Sequence, residues 1–402
     1  MRWLYKYRWS FILFYFFPLC WMYKATLSSN FGVQSLINSI VLSNRGLFVV
    51  AFSLIGAVMA SRSKFSTSAI VALILSFYML GVSFVVGDTL NLSLVSTIFF
   101  WSVTFCISEQ NILALGDVRI ISLIAAIVCN LMAIDIILYY PKLSNMLQLN
   151  QDQRVAASNS IYYLMSAFIF IFLVQNDTLK KILMVLPCIA ILLVGKSTCL
   201  VAVTASILYY FWRNIIDSTN KSKLIIGSLI LVVCVSYFSS GFVSIFDTFK
   251  GFDGDIQSGG NGRFDIWTTV WNKFVSSDLL PMFFGNGSQA VSGILKLGGH
   301  NDFVEILYDY GLIGLVIYLF FWYSLIRRVW TYAPKSELQM AYVISLIVFA
   351  SASMFSNFIN TQIQMLYFVM FWGFISVKEE NDSLINNSFK KQYCVKLIFN
   401  RL

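Results

Sequence analysis

Charge is what this chain has least of. Only 12% of its 402 residues are charged while 58% are hydrophobic, which is roughly half the charge of an ordinary soluble domain. Histidine is nearly absent: the single His300 excludes any multi-histidine metal centre. The seven cysteines contain no C-x-x-C pair. Six of them (Cys20, Cys106, Cys129, Cys188, Cys199 and Cys234) fall within apolar runs, and Cys394 lies near the C-terminus. Isolated thiols in such runs act as small apolar residues, so neither a disulfide framework nor a thiolate metal site is indicated. Strict apolar–polar alternation is also missing, which argues against an outer-membrane barrel. No internal repeat or low-complexity tract is visible.

What remains is long apolar runs from end to end. They read as an all-α polytopic membrane protein of about twelve transmembrane helices. The runs fall at 9–23, 46–61, 68–87, 90–108, 119–140, 158–175, 180–195, 197–212, 224–245, 303–326, 338–356 and 360–377. The first follows Arg2, Lys6 and Arg8, is rich in aromatics and lacks an A-x-A site, so an uncleaved span is expected rather than a signal peptide.

The net charge of +9 does not point to nucleic acid, because the basic residues sit in short loops between runs and form no stripe with interleaved aromatics. Their distribution is the positive-inside pattern instead. Arg62 and Lys64, Lys180 and Lys181, and Arg327 and Arg328 alternate with basic-poor connections, which places both termini in the cytoplasm. The resulting division is an N-terminal group of about nine spans over 1–245, a large outer loop over 246–302, about three spans over 303–377 and a cytoplasmic tail over 378–402.

Three outer segments stand out. Residues 24–45 contain a weakly amphipathic stretch, and 141–157 contain Pro141 and Arg154. The loop 246–302, rich in Gly, Asp and Asn, is the only long hydrophilic region, and long loops in compact proteins are usually functional. Within it lie Gly262-Arg263-Phe264-Asp265-Ile266-Trp267, then Phe284-Gly285-Asn286-Gly287 and His300-Asn301-Asp302-Phe303-Val304-Glu305, leading into Tyr310-Gly311-Leu312-Ile313-Gly314.

That order, Arg-x3-Trp, Gly-x-Gly, His-Asn and Gly-x2-Gly entering a span, resembles the O-antigen polymerase and O-antigen ligase superfamily of bacterial envelope enzymes. The likeness is specific over about 250–330 and diffuse elsewhere. Gly195-Lys196-Ser197-Thr198 stands where the family usually has an Arg. Lys196 is therefore a departure, offering phosphate a point charge instead of a bidentate fork.

The resemblance implies an inner-membrane glycosyltransferase that moves a growing glycan from undecaprenyl diphosphate to a lipid-linked repeat unit on the periplasmic face, with inversion. No cofactor and no metal are implied. The expected partners are the undecaprenyl-diphosphate-linked oligosaccharide, membrane lipid, and a chain-length regulator and flippase of the same pathway.

The residues suit that chemistry on their own terms. His300 stands at the start of span ten, where the positive end of a helix favours neutral imidazole, a suitable base for a sugar hydroxyl. A departing diphosphate needs cations, and Arg263, Lys196 and Arg154 are expected on the same face. Asn301, Glu305 and Asp309 share one helical face, Glu305 about one turn and Asp309 about two turns deeper than Asn301, and are candidates to orient His300 or to bind acceptor sugar. Plainer readings stand beside these. An interfacial histidine is commonly structural, Arg263 has Asp265 and Asp255 as candidate ion-pair partners, Lys196 is placed to snorkel, and the carboxylates are placed for ion pairs. Asp253-Gly254-Asp255 reads as turn chemistry in preference to a metal-binding D-x-D.

Two rivals remain. The O-antigen ligase uses the same donor but takes lipid A–core as acceptor, and the motifs do not separate it from the polymerase. Polymerase is favoured on the Lys at 196. A lipid-linked oligosaccharide flippase should show related halves and charged residues lining a central cavity, whereas here the ionisable residues gather toward one face.

Overall fold

The computed structural model describes residues 65–86, 101–106, 108–109, 115–145, 161–194, 196–217, 263–295, 298–332, 336–359, 364–373 and 375. The expected spans at 9–23, 46–61 and 224–245, most of that at 90–108, the loop 246–262 with its Asp-Gly-Asp, Arg154 and the tail 378–402 lie outside these residues.

Every regular element among the described residues is helical. In chain order they are α1 (Thr67–Val86), α2 (101–106), α3 (Leu115–Asn145), α4 (Ile161–Leu173), α5 (Asp177–Val194), α6 (Ser197–Asp217), α7 (Arg263–Val275), α8 (Leu279–Phe284), α9 (Ala290–Leu295), α10 (Asp302–Arg328), α11 (Glu337–Phe355) and α12 (364–373). Four stretches are long and apolar enough to cross a bilayer: Thr67–Val86, Ile120–Leu138, Asp302–Arg328 and Glu337–Phe355.

The helices present large apolar side chains outward as well as inward, and they place small residues among those they bury. α1 buries Ser68, Ala69, Ala72 and Ser76 and exposes Ile70, Ile74 and Phe77. α3 buries Ala125, Ala126, Cys129 and Ala133 and exposes Leu123, Ile127, Leu131 and Ile134. Lipid tails are as apolar as leucine, so burying leucine gains little. Small residues inside allow close backbone approach, and van der Waals packing holds the helices. Some buried hydroxyls are satisfied within their own helices, as Ser76 Oγ donates to the Ala72 carbonyl and Ser206 Oγ to that of Ala202.

A slab of aromatics fills the centre. Trp322 stacks on Phe349 at 4.8 Å, and Trp372 meets Phe349, Phe321 and Phe105 edge-on or tilted. Trp372 Nε1 finds a partner in Ser345 Oγ. One end of the bundle is fixed by a buried ion pair. Arg328 Nη1 lies 2.7 Å from Glu109 Oε1, and both Ser66 donors also reach the Glu109 carboxylate. The start of α1 and the end of α10 therefore lie at one level.

α10 is not one rod. At Gly311 the backbone takes φ 69° and ψ −173°, a region essentially reserved for glycine. Along a straight helix Asp302 and Tyr318 would be about 24 Å apart. Instead the Tyr318 hydroxyl donates to Asp302 Oδ2 at 3.2 Å, and the Phe303 ring packs on Tyr318 and Trp322. Residues 302–310 thus fold back along 312–322. This corrects the expected depth order: Glu305 and Asp309 lie on the returning arm, and Asp309, not Asn301, is next to the apex. The reason is Gly311, whose break the apolar pattern does not reveal.

The break exposes carbonyls that the loop satisfies. Asn286 N–H donates to the Tyr308 carbonyl and Gly287 N–H to that of Asp309, while the Tyr78 hydroxyl of α1 donates to that of Tyr310. A Cβ on Gly285 would strike the Asp309 backbone and one on Gly311 the Phe283 carbonyl. Gly-x-Gly and Gly-x2-Gly are thus two halves of one close backbone contact.

Gly311→Ala is expected to destabilise the folded protein by at least about 2 kcal/mol. Gly81→Ala, in open space on α1, should be neutral or slightly stabilising because alanine is the better helix former. Thermal denaturation in detergent, followed by size-exclusion recovery, checks both. Equal stability of the two variants would remove the special role of Gly311.

Candidate active site

Three chain segments far apart in sequence meet beside the start of α10. Lys196 sits between α5 and α6, Arg263 opens α7, and His300 directly precedes the N-cap of α10. Arg263 and Lys196 both act electrostatically on His300, and Arg263 acts on Lys196. Burial, followed by the charges of Arg263 and Lys196, holds the His300 imidazole below the usual histidine range. Burial and Arg263 likewise lower the Lys196 ammonium. The cluster therefore combines a neutral imidazole with two cations in partly desolvated surroundings, an environment that favours an anion.

His300 is held by its backbone. Its φ is 51°, a left-handed conformation that histidine tolerates better than most residues. The residue before it is gripped on both sides: Gly299 N–H donates to Glu305 Oε1, and Trp267 Nε1 donates to the Gly299 carbonyl at 2.9 Å. Arg263 and Trp267 stand four residues apart on α7, so Arg-x3-Trp presents both from one helical face. Arginine faces the cluster, and tryptophan fixes the strand that carries His300. A Cβ on Gly299 would press on Glu305, which accounts for the glycine there.

The other three motif residues act as fasteners. Asn301 Oδ1 accepts from the Phe303 and Val304 N–H groups, an N-cap for α10, and its Nδ2 donates to the Met354 carbonyl at the end of α11. Glu305, buried, takes the Gly299 N–H. Asp309 lies at the apex, where its two carboxylate oxygens accept from Gln289 and Val291 N–H at 3.0 and 2.9 Å, entering α9. Asn301 and Glu305 are thus next to His300 along the chain and bear on its backbone, while Asp309 belongs to the apex. Arg154 lies outside the described residues.

Two residues that support the cluster carry no mark in the sequence reading. Tyr162 on α4 places its ring 4.4 Å from Lys196 Nζ, and its hydroxyl interacts with Thr198 and Ser356. Desolvated cation–π contact of this kind is worth about 2 kcal/mol and keeps the ammonium from wandering. Tyr162 carries no local signal, because its contact arises only when α4 packs against the α5–α6 junction. Asp302 was in plain view within the His300-Asn301-Asp302 run. Wholly buried, its Oδ1 accepts from Phe358 and Ile359 N–H while Oδ2 takes the Tyr318 hydroxyl. It ties the segment after α11 to the start of α10, and Phe358 in turn packs edge-on against Tyr162.

Among the described residues no three His, Cys, Asp or Glu side chains converge as metal ligands. A comparison with curated proteins gives no match. Residues 182–319 match the family model described as O-antigen ligase. The match runs from within α5 into α10, so it takes in Lys196, Arg263, the Gly-x-Gly turn, His300 and Gly311. Over those residues the chain is similar to the O-antigen ligase family.

Proposed function

We propose that this multi-pass membrane protein is a surface-glycan polymerase of the O-antigen type. It transfers a growing glycan from a polyprenyl diphosphate to the free sugar hydroxyl of a second lipid-linked repeat unit at the periplasmic face of the inner membrane. The observation that carries the reading is the convergence of His300, Arg263 and Lys196 from three separate segments.

In this reading neutral His300 takes the proton of the acceptor hydroxyl as its oxygen bonds to the anomeric carbon. The bond from that carbon to the diphosphate breaks, and the diphosphate leaves on its lipid. Direct attack from the opposite side inverts the anomeric configuration. Arg263 and Lys196 neutralise the charge that grows on the leaving group, Arg263 with a fork that matches two phosphate oxygens, and Tyr162 keeps Lys196 in place. The third cation proposed for this role, Arg154, lies outside the described residues. Asn301, Glu305 and Trp267 fix the backbone of His300, and acceptor sugar is expected against the same arm.

A ligase that uses the same donor and lipid A–core as acceptor is the second reading, favoured by the description of the matching family. Deleting the gene separates the two. Lipopolysaccharide cores bearing a single repeat unit identify the polymerase. Bare cores with long lipid-linked chains identify the ligase, and bare cores with single lipid-linked units stranded inside the cell overturn both.

His300→Ala should lower turnover at least about 100-fold, the usual contribution of a general base, with normal protein level in the membrane. Unchanged activity would remove His300 from the chemistry. Arg263→Lys should be impaired through loss of the fork, and wild-type turnover there would take the diphosphate off Arg263.

The pH profile tests the electrostatics. A base must be unprotonated, so activity is lost as pH falls through the His300 pKa. Because that pKa is depressed, the acid limb should fall below the ordinary histidine value of about 6.5. Lys196→Met removes one of the charges that depress it, so the limb should move to higher pH, whatever happens to the overall rate. A limb that stays in place would show that Lys196 does not act on the base.

A further inference from the structure

The span α1 provides a ruler for depth. Its start is tied to the Glu109–Arg328 pair through Ser66. Its 20 residues rise about 30 Å, the thickness of a bilayer's hydrocarbon core. The far end, Val86, lies within 3.4 Å of the place a Cβ on Gly287 would take. Tyr78, two turns before that end, donates to the Tyr310 carbonyl and, at 3.4 Å, to that of Phe284. Gly287 is thereby fixed beside the outer end of α1, and the Gly311 apex and α8, which ends at Phe284, beside its last turns from Tyr78 onward.

At that level the surface is apolar. Leu279 and Leu280 are each 72% exposed, and Phe283 and Phe284 nearly half. On the last turn of α1, Phe84 and Val85 are exposed as well, the latter 82%. Just before α8 the chain is polar and exposed at Lys273, Ser276 and Asp278. Such a boundary between charged and large apolar side chains is what an element lying at a membrane interface presents. The apolar side is continuous with Ile70, Ile74 and Phe77, the exposed face of a membrane span.

We propose that α8 and the last turn of α1 form an apolar rim whose occupant is the lipid of the outer leaflet. Leu279, Leu280 and Phe283 are seated among the upper acyl chains, and Lys273 and Asp278 stand in the headgroup layer. The membrane thereby holds the Gly285–Gly287 turn against the Gly311 apex and sets the height of the arm that ends at His300. The inference rests on the membrane character of α1 and α10 and is independent of the reaction assigned above.

The test uses the full-length protein in lipid nanodiscs, with a bimane fluorophore on Leu280→Cys, on Leu279→Cys as a second rim position, and on Lys273→Cys. Unsubstituted protein provides the background from the native thiols. Lipids carrying a nitroxide high on the acyl chain should quench both rim labels severalfold more than the Lys273→Cys label. Aqueous iodide should show the reverse order. Equal iodide quenching at all three positions would place the rim in water and overturn the proposal. Rim labels shielded from both quenchers would show that protein covers the face, which overturns it equally.

Discussion

Every backbone N–H and C=O at membrane depth must find a partner inside the protein, and that requirement shapes this molecule around Gly311. Breaking a helix there frees the carbonyls of Tyr308, Asp309 and Tyr310. The structure meets the need with Asn286, Gly287 and Tyr78, drawn from a loop and from a different span. Asp309 then satisfies the donors of the loop in return. None of these contacts is separable from the others, since the two backbones approach too closely for a Cβ on either Gly285 or Gly311.

The break has a purpose that the site makes plain. A straight α10 would carry its first residues beyond the ends of the neighbouring helices, far from Lys196 and Tyr162. Folding residues 302–310 back along 312–322 instead delivers the N-terminus of the arm to the end of α11, where Asn301 bonds Met354 and Asp302 bonds Phe358 and Ile359. Thr198 donates to the Phe355 carbonyl at the same place. The cationic cluster and His300 are therefore assembled on a platform built by α4, the α5–α6 junction and the end of α11, with the hairpin and α7 closing over it.

How much of this could be read from the sequence follows from the range of each interaction. Helices announce themselves by apolar runs, so α1, α3, α5, α6, α10 and α11 fall close to their expected limits. His300, Arg263 and Lys196 were accessible because charged and titratable residues are scarce in such a chain, and each stands out. The fold-back was hidden. Hydropathy is the same whether an apolar segment runs straight or doubles on itself, and a glycine within a span is ordinary. Asp309 illustrates the cost: its place in an i, i+4 row with Asn301 and Glu305 is real, yet the hairpin puts it at the apex with α9. Tyr162 was hidden for a different reason, as one aromatic among 20 tyrosines, 37 phenylalanines and 10 tryptophans has nothing to distinguish it before α4 is packed.

The hairpin also fixes where His300 lies relative to the apex. Asp302 is level with Tyr318, and Tyr318 lies seven residues beyond Gly311, about 10 Å along the helix. His300, two residues before Asp302, is accordingly well below the apex. It is partly buried there, and Arg263 and Lys196 act on it. Burial and the two neighbouring cations act in the same direction on the imidazole, each favouring its neutral form. In the proposed reaction the anion the cations meet is a diphosphate carried on a lipid tail. Burial and the charges of Arg263 and Lys196 are thus parts of one electrostatic arrangement, and it is the fold-back at Gly311 that brings His300 into it.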